Sequence, residues 1–273
     1  MEMILDQLSA LAHPQRLALF RLLMRRYPDA VPAGELGEAL AVRQNTLSAY
    51  LSTLRQAGLI DQTRQGRSLL YSARTAEAGA LVSYLVEDCC RGRADRCADL
   101  SVRAPAPAGG YNVLFLCTGN SARSLMAEAI LREEAGDRFT AFSAGTRPRE
   151  QAHPMALDLL RKGGHDVSAL HPKDAAIFRE VDAPRMDFVI SVCDRAANED
   201  CPAWPGHPVA AHWGMPDSVL AQGTEAERHL AFREVHEGLR RRIFAFAALP
   251  LDTLDRLSRQ HHLDTLAKEP VPA

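Results

Sequence analysis

The sequence predicts two domains of different class: a mainly-α domain carrying a β-hairpin, then a small doubly wound α/β domain with a parallel sheet. Three observations carry this. In the first hundred positions apolar residues recur at three- and four-residue spacing, and one pair of short strand-like runs comes after them. After position 110, short apolar runs alternate with helical stretches, as in a parallel sheet with helices on both faces. Between the two lies SVRAPAPAGGYN, where Pro105, Pro107, Gly109 and Gly110 interrupt any helical or strand period. The expected organisation is 1–100 for the first domain, 101–110 for the linker, 111–249 for the second domain and 250–273 for a C-terminal helix and tail. A chain of 273 residues suits this division.

Ile4, Leu5, Leu8, Leu11 and Ala12 form one helical stripe at the start of the chain. Pro14 suits the first turn of a second helix bearing Leu17, Phe20, Leu22 and Leu23. A short helix is expected near 33–40 and a longer one over 44–57, closed by Gly58. Strands are expected at 59–63 and 68–72, with Gly66 supplying the positive φ of their turn. A helix over 76–90 ends this half. The second half is expected to run as strand 111–116, helix 121–135, strand 140–143, helix 154–162, strand 187–192, an irregular Cys/Pro-rich loop, strand 208–212 and helix 225–247. A final amphipathic helix lies in the tail.

The composition is that of an ordinary globular chain: 47% hydrophobic, 24% charged, net charge -2. No apolar run approaches the ~18–20 residues of a membrane span, and the N-terminus MEMILDQLSALAHPQR lacks a basic-then-apolar export pattern. A cytoplasmic location is expected. Six cysteines, at 89, 90, 97, 117, 193 and 201, then read as reactive or metal-binding rather than as a disulfide framework.

Two helices, a tight connection and a hairpin with a basic tip form the order of a winged helix-turn-helix. Helix 44–57 buries Leu47, Leu51 and Leu54. It shows Arg43, Gln44, Asn45, Thr46 and Ser48 on its other face, with reach to base edges and phosphates. Arg64 and Arg67 at the hairpin tip would flank the DNA backbone. Residues 43–74 hold five Arg against the single acid Asp61, a phosphate-backbone footprint. The stretches LSALAHPQRLALFRLL, LSAYLSTLRQAGLI and RQGRSLLYSA resemble the ArsR family of metalloid-responsive repressors over about residues 3–90. The resemblance implies operator DNA as partner and a homodimer built through the first and last helices. Many members carry cysteines in the helix before the recognition helix; here GELGEALAV has none. Instead VEDCCRGRADRC places Cys89, Cys90 and Cys97 at the end of the last helix. Three soft thiolates suit one trivalent arsenic, and some family members use a comparable trio. Cys90 and Cys97 would stand ~10.5 Å apart on a continuous helix. The helix must therefore break near Gly92, or Cys97 must come from the other subunit. Zinc is the weaker rival, since a structural zinc site takes four ligands.

The second domain opens with VLFLCTGNSARS. Five residues separate Cys117 from Arg123, enough for a loop (Thr118, Gly119, Asn120, Ser121, Ala122) that turns its N–H groups inward ahead of a helix N-terminus. Gly119 is expected to permit the backbone and Asn120 to pin it. Arg123 offers two donors to a tetrahedral anion. A thiol in that cradle is expected to shift toward thiolate, with Ser124 tuning it, and to act as a nucleophile. The stretch VLFLCTGNSARSLMAEAI resembles the low-molecular-weight tyrosine phosphatase superfamily, which implies that fold. Phosphate and arsenate are alike in shape and charge, so the loop alone does not choose between them. VCD…CP…HWGMPD resembles the arsenate reductases of that superfamily, and implies Cys193 and Cys201 as redox thiols and Asp217 as the acid. No Asp-Pro-Tyr-type phosphatase motif occurs. Some reductases carry a further Cys in the loop where this chain has Ala122. His212 and Trp213 read as structural; His153 and His171, each before a proline, read as helix-start residues.

The resulting expectation is an arsenite-responsive repressor fused to a thiol-dependent arsenate reductase. It has no permanently bound cofactor, takes As(III) as regulatory ligand and is recycled by an external thioredoxin- or glutaredoxin-like reductant. A tyrosine phosphatase fused to a repressor, and a non-catalytic oxyanion sensor, are the alternatives.

Overall fold

The computed structural model describes residues 2–89, 110–199 and 204–268. Its contacts group into two compact units. One carries residues 2–89 and 198–199, the other residues 110–197 and 204–268. Among the described residues no helix is long and apolar enough to cross a membrane.

The N-terminal unit runs α1 (Glu2–Leu11), α2 (Pro14–Arg26), β1 (Val31–Pro32), α3 (Ala33–Leu40), α4 (Gln44–Gln56), β2 (Ile60–Gln65), β3 (Ser68–Ala73) and α5 (Thr75–Tyr84), with a π-helical turn over Leu85–Cys89. Pro14 occupies the first turn of α2, and the His13 side chain accepts from the backbone N–H of Gln15 at 3.2 Å. Leu19, Leu22 and Leu23 of α2, Leu36 of α3, and Leu47, Leu51 and Leu54 of α4 form the core with Val31, Leu59 and Tyr71. The hairpin β2–β3 pairs Gln65 with Ser68 across a turn in which Gly66 has φ +59°, as expected from the sequence. Strand β1 is an addition to the expected elements. Its two residues pair with Tyr71 and Leu70 of β3, giving the order β1-β3-β2; two residues carry no readable period. The helix expected over 76–90 leaves α-helical geometry at Leu85.

The C-terminal unit runs β4 (Tyr111–Cys117), α6 (Arg123–Ala135), β5 (Phe139–Gly145), α7 (Pro154–Lys162), a 3-10 helix (Ala175–Arg179), β6 (Phe188–Ser191), α8 (Asp194–Asn198), β7 (Val209–His212), α9 (Glu225–Ala247) and α10 (Arg256–Ala267). The four strands form one parallel sheet in the order β5-β4-β6-β7. The chain therefore leaves β4 toward one side and returns for β6 on the other. The carboxyl end of β4 is the switch point of the sheet, the place where open α/β sheets bind ligands.

The sheet faces are unequal. Val113 and Phe115 share one core with residues of α6, α7, α9 and α10. Leu114 and Leu116 face the other way, onto Ala175 and Phe178 of the 3-10 helix and onto Met186. The second face is thus closed by a 3-10 helix and loop rather than by the α-helices expected there. Two further differences concern helix bounds. The segment after β6, expected to be irregular, begins with the short helix α8. The helix expected from Ser121 starts at Arg123, because residues 118–122 form a loop of their own.

Candidate active site

Cys117 ends β4 and is buried. The loop that leaves it has its carbonyls held by a neighbouring strip of backbone. Thr146, Arg147, Arg149 and His153 donate their backbone N–H groups to the carbonyls of Cys117, Thr118, Gly119 and Ser121, at 3.1, 2.9, 2.9 and 2.7 Å. Within the loop, the peptide N–H of Asn120 donates to the Cys117 sulfur at 3.0 Å. Inward N–H groups ahead of a helix form an anion cradle.

The residue with positive φ in this loop is Asn120, at 44°, not Gly119. The sequence suggests the glycine for that backbone role; asparagine takes it instead, because its side chain is fixed by partners that offset the left-handed backbone. Its amide donates to Ser124 Oγ at 2.8 Å and to Ser143 Oγ at 2.9 Å, and its carbonyl accepts from the Lys173 backbone N–H at 2.7 Å. Ser143, in turn, donates to the buried carboxylate of Glu128, which pairs with the Lys173 ammonium at 3.2 Å. The space at Gly119 would admit a Cβ in ordinary van der Waals contact. A Cβ there would stand 3.4 Å from Arg149 Cγ and 3.5 Å from both Arg149 Nε and Ser121 Oγ. Gly145, at the end of β5, is required as glycine: a Cβ there would stand 2.6 Å from the Thr118 carbonyl oxygen.

The Cys117 sulfur lies 2.9 Å from Ser124 Oγ. Arg123 opens α6; one nitrogen pairs with Asp217 Oδ2 at 2.8 Å and another donates to the Met215 carbonyl at 3.1 Å. Arg242, itself buried, donates to the carbonyls of Gly214 and Ala267 and so braces the segment that leads to Asp217. The thiol is not acidified overall, contrary to the expectation. Burial pushes the Cys117 pKa up, and neighbouring Cys193 adds to this; Ser124, Arg123 and the Asn120 N–H pull the other way without overcoming it. Desolvation penalises the charged form, and Arg123, whose charge lowers the pKa, also pairs with Asp217.

Cys193 comes after β6 and is buried beside the loop. Its sulfur lies 3.5 Å from Thr118 Oγ1 and accepts from the Ala196 N–H at 3.4 Å. Both Cys117 and Cys193 are free thiols. Cys201 lies outside the described residues. His212 bonds Ser191 Oγ at 2.9 Å and Asp194 at 3.2 Å, and Trp213 donates to the Leu263 carbonyl at 3.2 Å. His153 caps α7 by accepting from the Met155 N–H. His171 begins no helix: the next helical residue is Ala175, capped by Asp174.

In the N-terminal unit, Arg43, Gln44, Asn45, Thr46 and Ser48 are exposed around the first turn of α4, and Arg64 and Arg67 are exposed at the hairpin. Arg64 Nε donates to the Gly66 carbonyl at 3.1 Å. Cys89 is exposed at the end of the π-helical turn; Cys90 and Cys97 lie outside the described residues. Ser143, Glu128, Lys173, Gly145 and Arg242 carry no signal in the sequence that marks them for the site. They reach it from separate elements or loops, and no local spacing joins them.

The family model described as low molecular weight phosphotyrosine protein phosphatase matches residues 112–260, and one described as a helix-turn-helix domain matches residues 11–63. An arsenate reductase of Bacillus licheniformis is 37% identical over 138 residues, 50% of this chain and 94% of that protein. One of Bacillus subtilis is 36% identical over 138 residues, with the same shares. Among solved structures, an ArsR-like transcriptional regulator from Rhodococcus aligns over 35% of this chain and 85% of its own, at 22% identity and a TM-score of 0.31, too low to bear on the function.

Proposed function

Since the chain belongs, through residues 112–260, to the low molecular weight phosphotyrosine protein phosphatase family, we propose that this unit uses its thiol cradle to reduce arsenate, and that the helix-turn-helix unit regulates transcription in response to the arsenite formed. The observation that carries the reading is the second buried thiol. Ester hydrolysis needs one nucleophile and water. Reduction of As(V) to As(III) needs two electrons, and Cys193 beside Cys117 can supply them. The arsenate reductases at 37% and 36% identity support the same assignment.

The Cys117 thiolate attacks arsenic held by the loop N–H groups and Arg123; an S–As bond forms, and an oxygen leaves as water with a proton from Asp217. The Cys193 thiolate attacks the Cys117 sulfur. The S–As bond breaks with its electron pair remaining on arsenic, which departs as arsenite, and a Cys117–Cys193 disulfide is left. Cys201 attacks Cys193 and frees Cys117. The Cys193–Cys201 disulfide then takes two electrons from an external thioredoxin- or glutaredoxin-like dithiol. Cys193 and Cys201 are eight residues apart in sequence, ~12 Å if helical, while a disulfide needs Cα atoms within ~7 Å. The segment must loop as this bond forms.

In the N-terminal unit the exposed first turn of α4 would enter the major groove of operator DNA, with Arg64 and Arg67 at the flanking phosphates. Cys89, Cys90 and Cys97 would take As(III), and two copies of the unit would form the repressor.

The test is arsenate-dependent NADPH oxidation with thioredoxin and thioredoxin reductase. Wild type should turn over, and Cys193→Ser should lose turnover. Wild type without arsenate turnover, but with aryl phosphate hydrolysis that Cys193→Ser leaves intact, would return the site to phosphatase chemistry.

A further inference from the structure

We infer that Arg149 is a specificity residue of the cradle, a guanidinium at its rim that selects inorganic oxyanions over their organic esters; the inference rests on the oxyanion-binding reading above and deepens it. Arg149 is tied to the loop at one place by two independent contacts. Its backbone N–H donates to the Gly119 carbonyl at 2.9 Å. Its side chain fills the space that a Cβ on residue 119 would approach, with Cγ at 3.4 Å and Nε at 3.5 Å from that point. The Arg149 side chain thus lies within van der Waals reach of the loop at residue 119.

The charge at this rim is uncompensated. Arg123, inside the cradle, is held by Asp217 at 2.8 Å. Arg149 is exposed, and among the described residues its guanidinium has no ion pair and no hydrogen-bond partner. Its field reaches the outer strip of the loop: after burial, and together with Arg228, it lowers the pKa of His153, whose N–H holds the Ser121 carbonyl. Glu150 is next in sequence and is exposed.

Geometry sets the chemistry of selection. A tetrahedral oxyanion seated on inward N–H groups gives three oxygens to the cradle and points the fourth outward. In arsenate that position is an oxide or hydroxyl, able to accept from a guanidinium. In an ester it carries carbon, which offers the guanidinium nothing comparable, and the ester is the less basic anion. A rim cation thus favours the inorganic dianion.

The test measures binding without requiring turnover. Alkylation of Cys117 by iodoacetamide is monitored in the full-length chain by peptide mass spectrometry, and the concentrations of arsenate and of phenyl phosphate that halve its rate are determined. Arg149→Gln should raise the half-protecting arsenate concentration about tenfold, the worth of one charge-assisted hydrogen bond to a dianion. It should change that of phenyl phosphate less than about twofold, each protection being referred to the same variant's unliganded alkylation rate. Arg149→Lys should recover most of the arsenate protection. Equal weakening of both ligands, or of neither, overturns the inference. A wild type that shows the Arg149-dependent protection yet no NADPH oxidation would overturn the reductase reading and leave the selectivity standing.

Discussion

At the scale of single residues, the site is a balance on one sulfur. Burial and Cys193 raise the Cys117 pKa, while Ser124, Arg123 and the Asn120 N–H lower it. A thiol reacts as its thiolate, so with a raised pKa the reaction rate climbs with pH through and beyond the ordinary thiol range, and a lost lowering contact moves that climb to still higher pH. Ser124→Ala removes the hydrogen bond of 2.9 Å. The alkylation rate of Cys117 should fall about fivefold near neutral pH, the worth of one hydrogen bond, and converge on wild type at high pH. A uniform loss at every pH would show that Ser124 acts on loop geometry instead. Cys117, Arg123 and Ser124 were legible in sequence because their roles depend on spacing within eight residues. The direction of the pKa was not, since burial depends on chain that arrives from elsewhere.

At the scale of elements, the loop is shaped by the strip of backbone after β5. Gly145 stands at the contact, and a Cβ there would meet the Thr118 carbonyl oxygen at 2.6 Å. Gly145→Ala should cost roughly 2 kcal/mol by forced displacement of backbone, seen as a lower denaturation midpoint, together with loss of arsenate protection at Cys117. A stable variant with full protection would contradict this account. The C-terminal helix α10 closes the far side. Leu263 is fully buried, and its carbonyl accepts from the Trp213 indole. Leu263→Ala should destabilise the unit by about 3 kcal/mol. Both tryptophans, Trp204 and Trp213, lie in this unit, so fluorescence isolates its transition from that of the N-terminal one. An unchanged midpoint would mean that α10 contributes little to the fold. Most strands and helices were legible from periodicity. The two-residue β1, the 3-10 helix over Ala175–Arg179 and the short α8 were not, being too short to show one.

At the scale of the whole molecule, a helix-turn-helix unit and a phosphatase-family unit share one chain. Under the proposed function, the enzyme makes the ligand that the regulator detects. Tethering would then present arsenite to Cys89, Cys90 and Cys97 where it is formed. In cells challenged with arsenate, derepression of an operator-linked reporter should come earlier with the full chain than with residues 1–100 and 111–273 supplied separately at equal levels. When the challenge is arsenite itself, the two arrangements should respond alike. Equal responses to arsenate would show that the fusion confers nothing on signalling.

The sequence by itself determined the two-domain division, the winged helix-turn-helix, the parallel sheet and the loop between Cys117 and Arg123. These depend on periodicity, turn residues and short spacings, which the chain carries locally. Tertiary structure alone decided that Asn120 rather than Gly119 takes the left-handed backbone, that Glu128, Ser143 and Lys173 stand behind it, that Cys193 lies against Thr118, and that Arg149 lies against Gly119. Each of these joins residues 23 to 75 positions apart or depends on such a contact. Only the packing of the sheet and its crossovers brings them within hydrogen-bond reach.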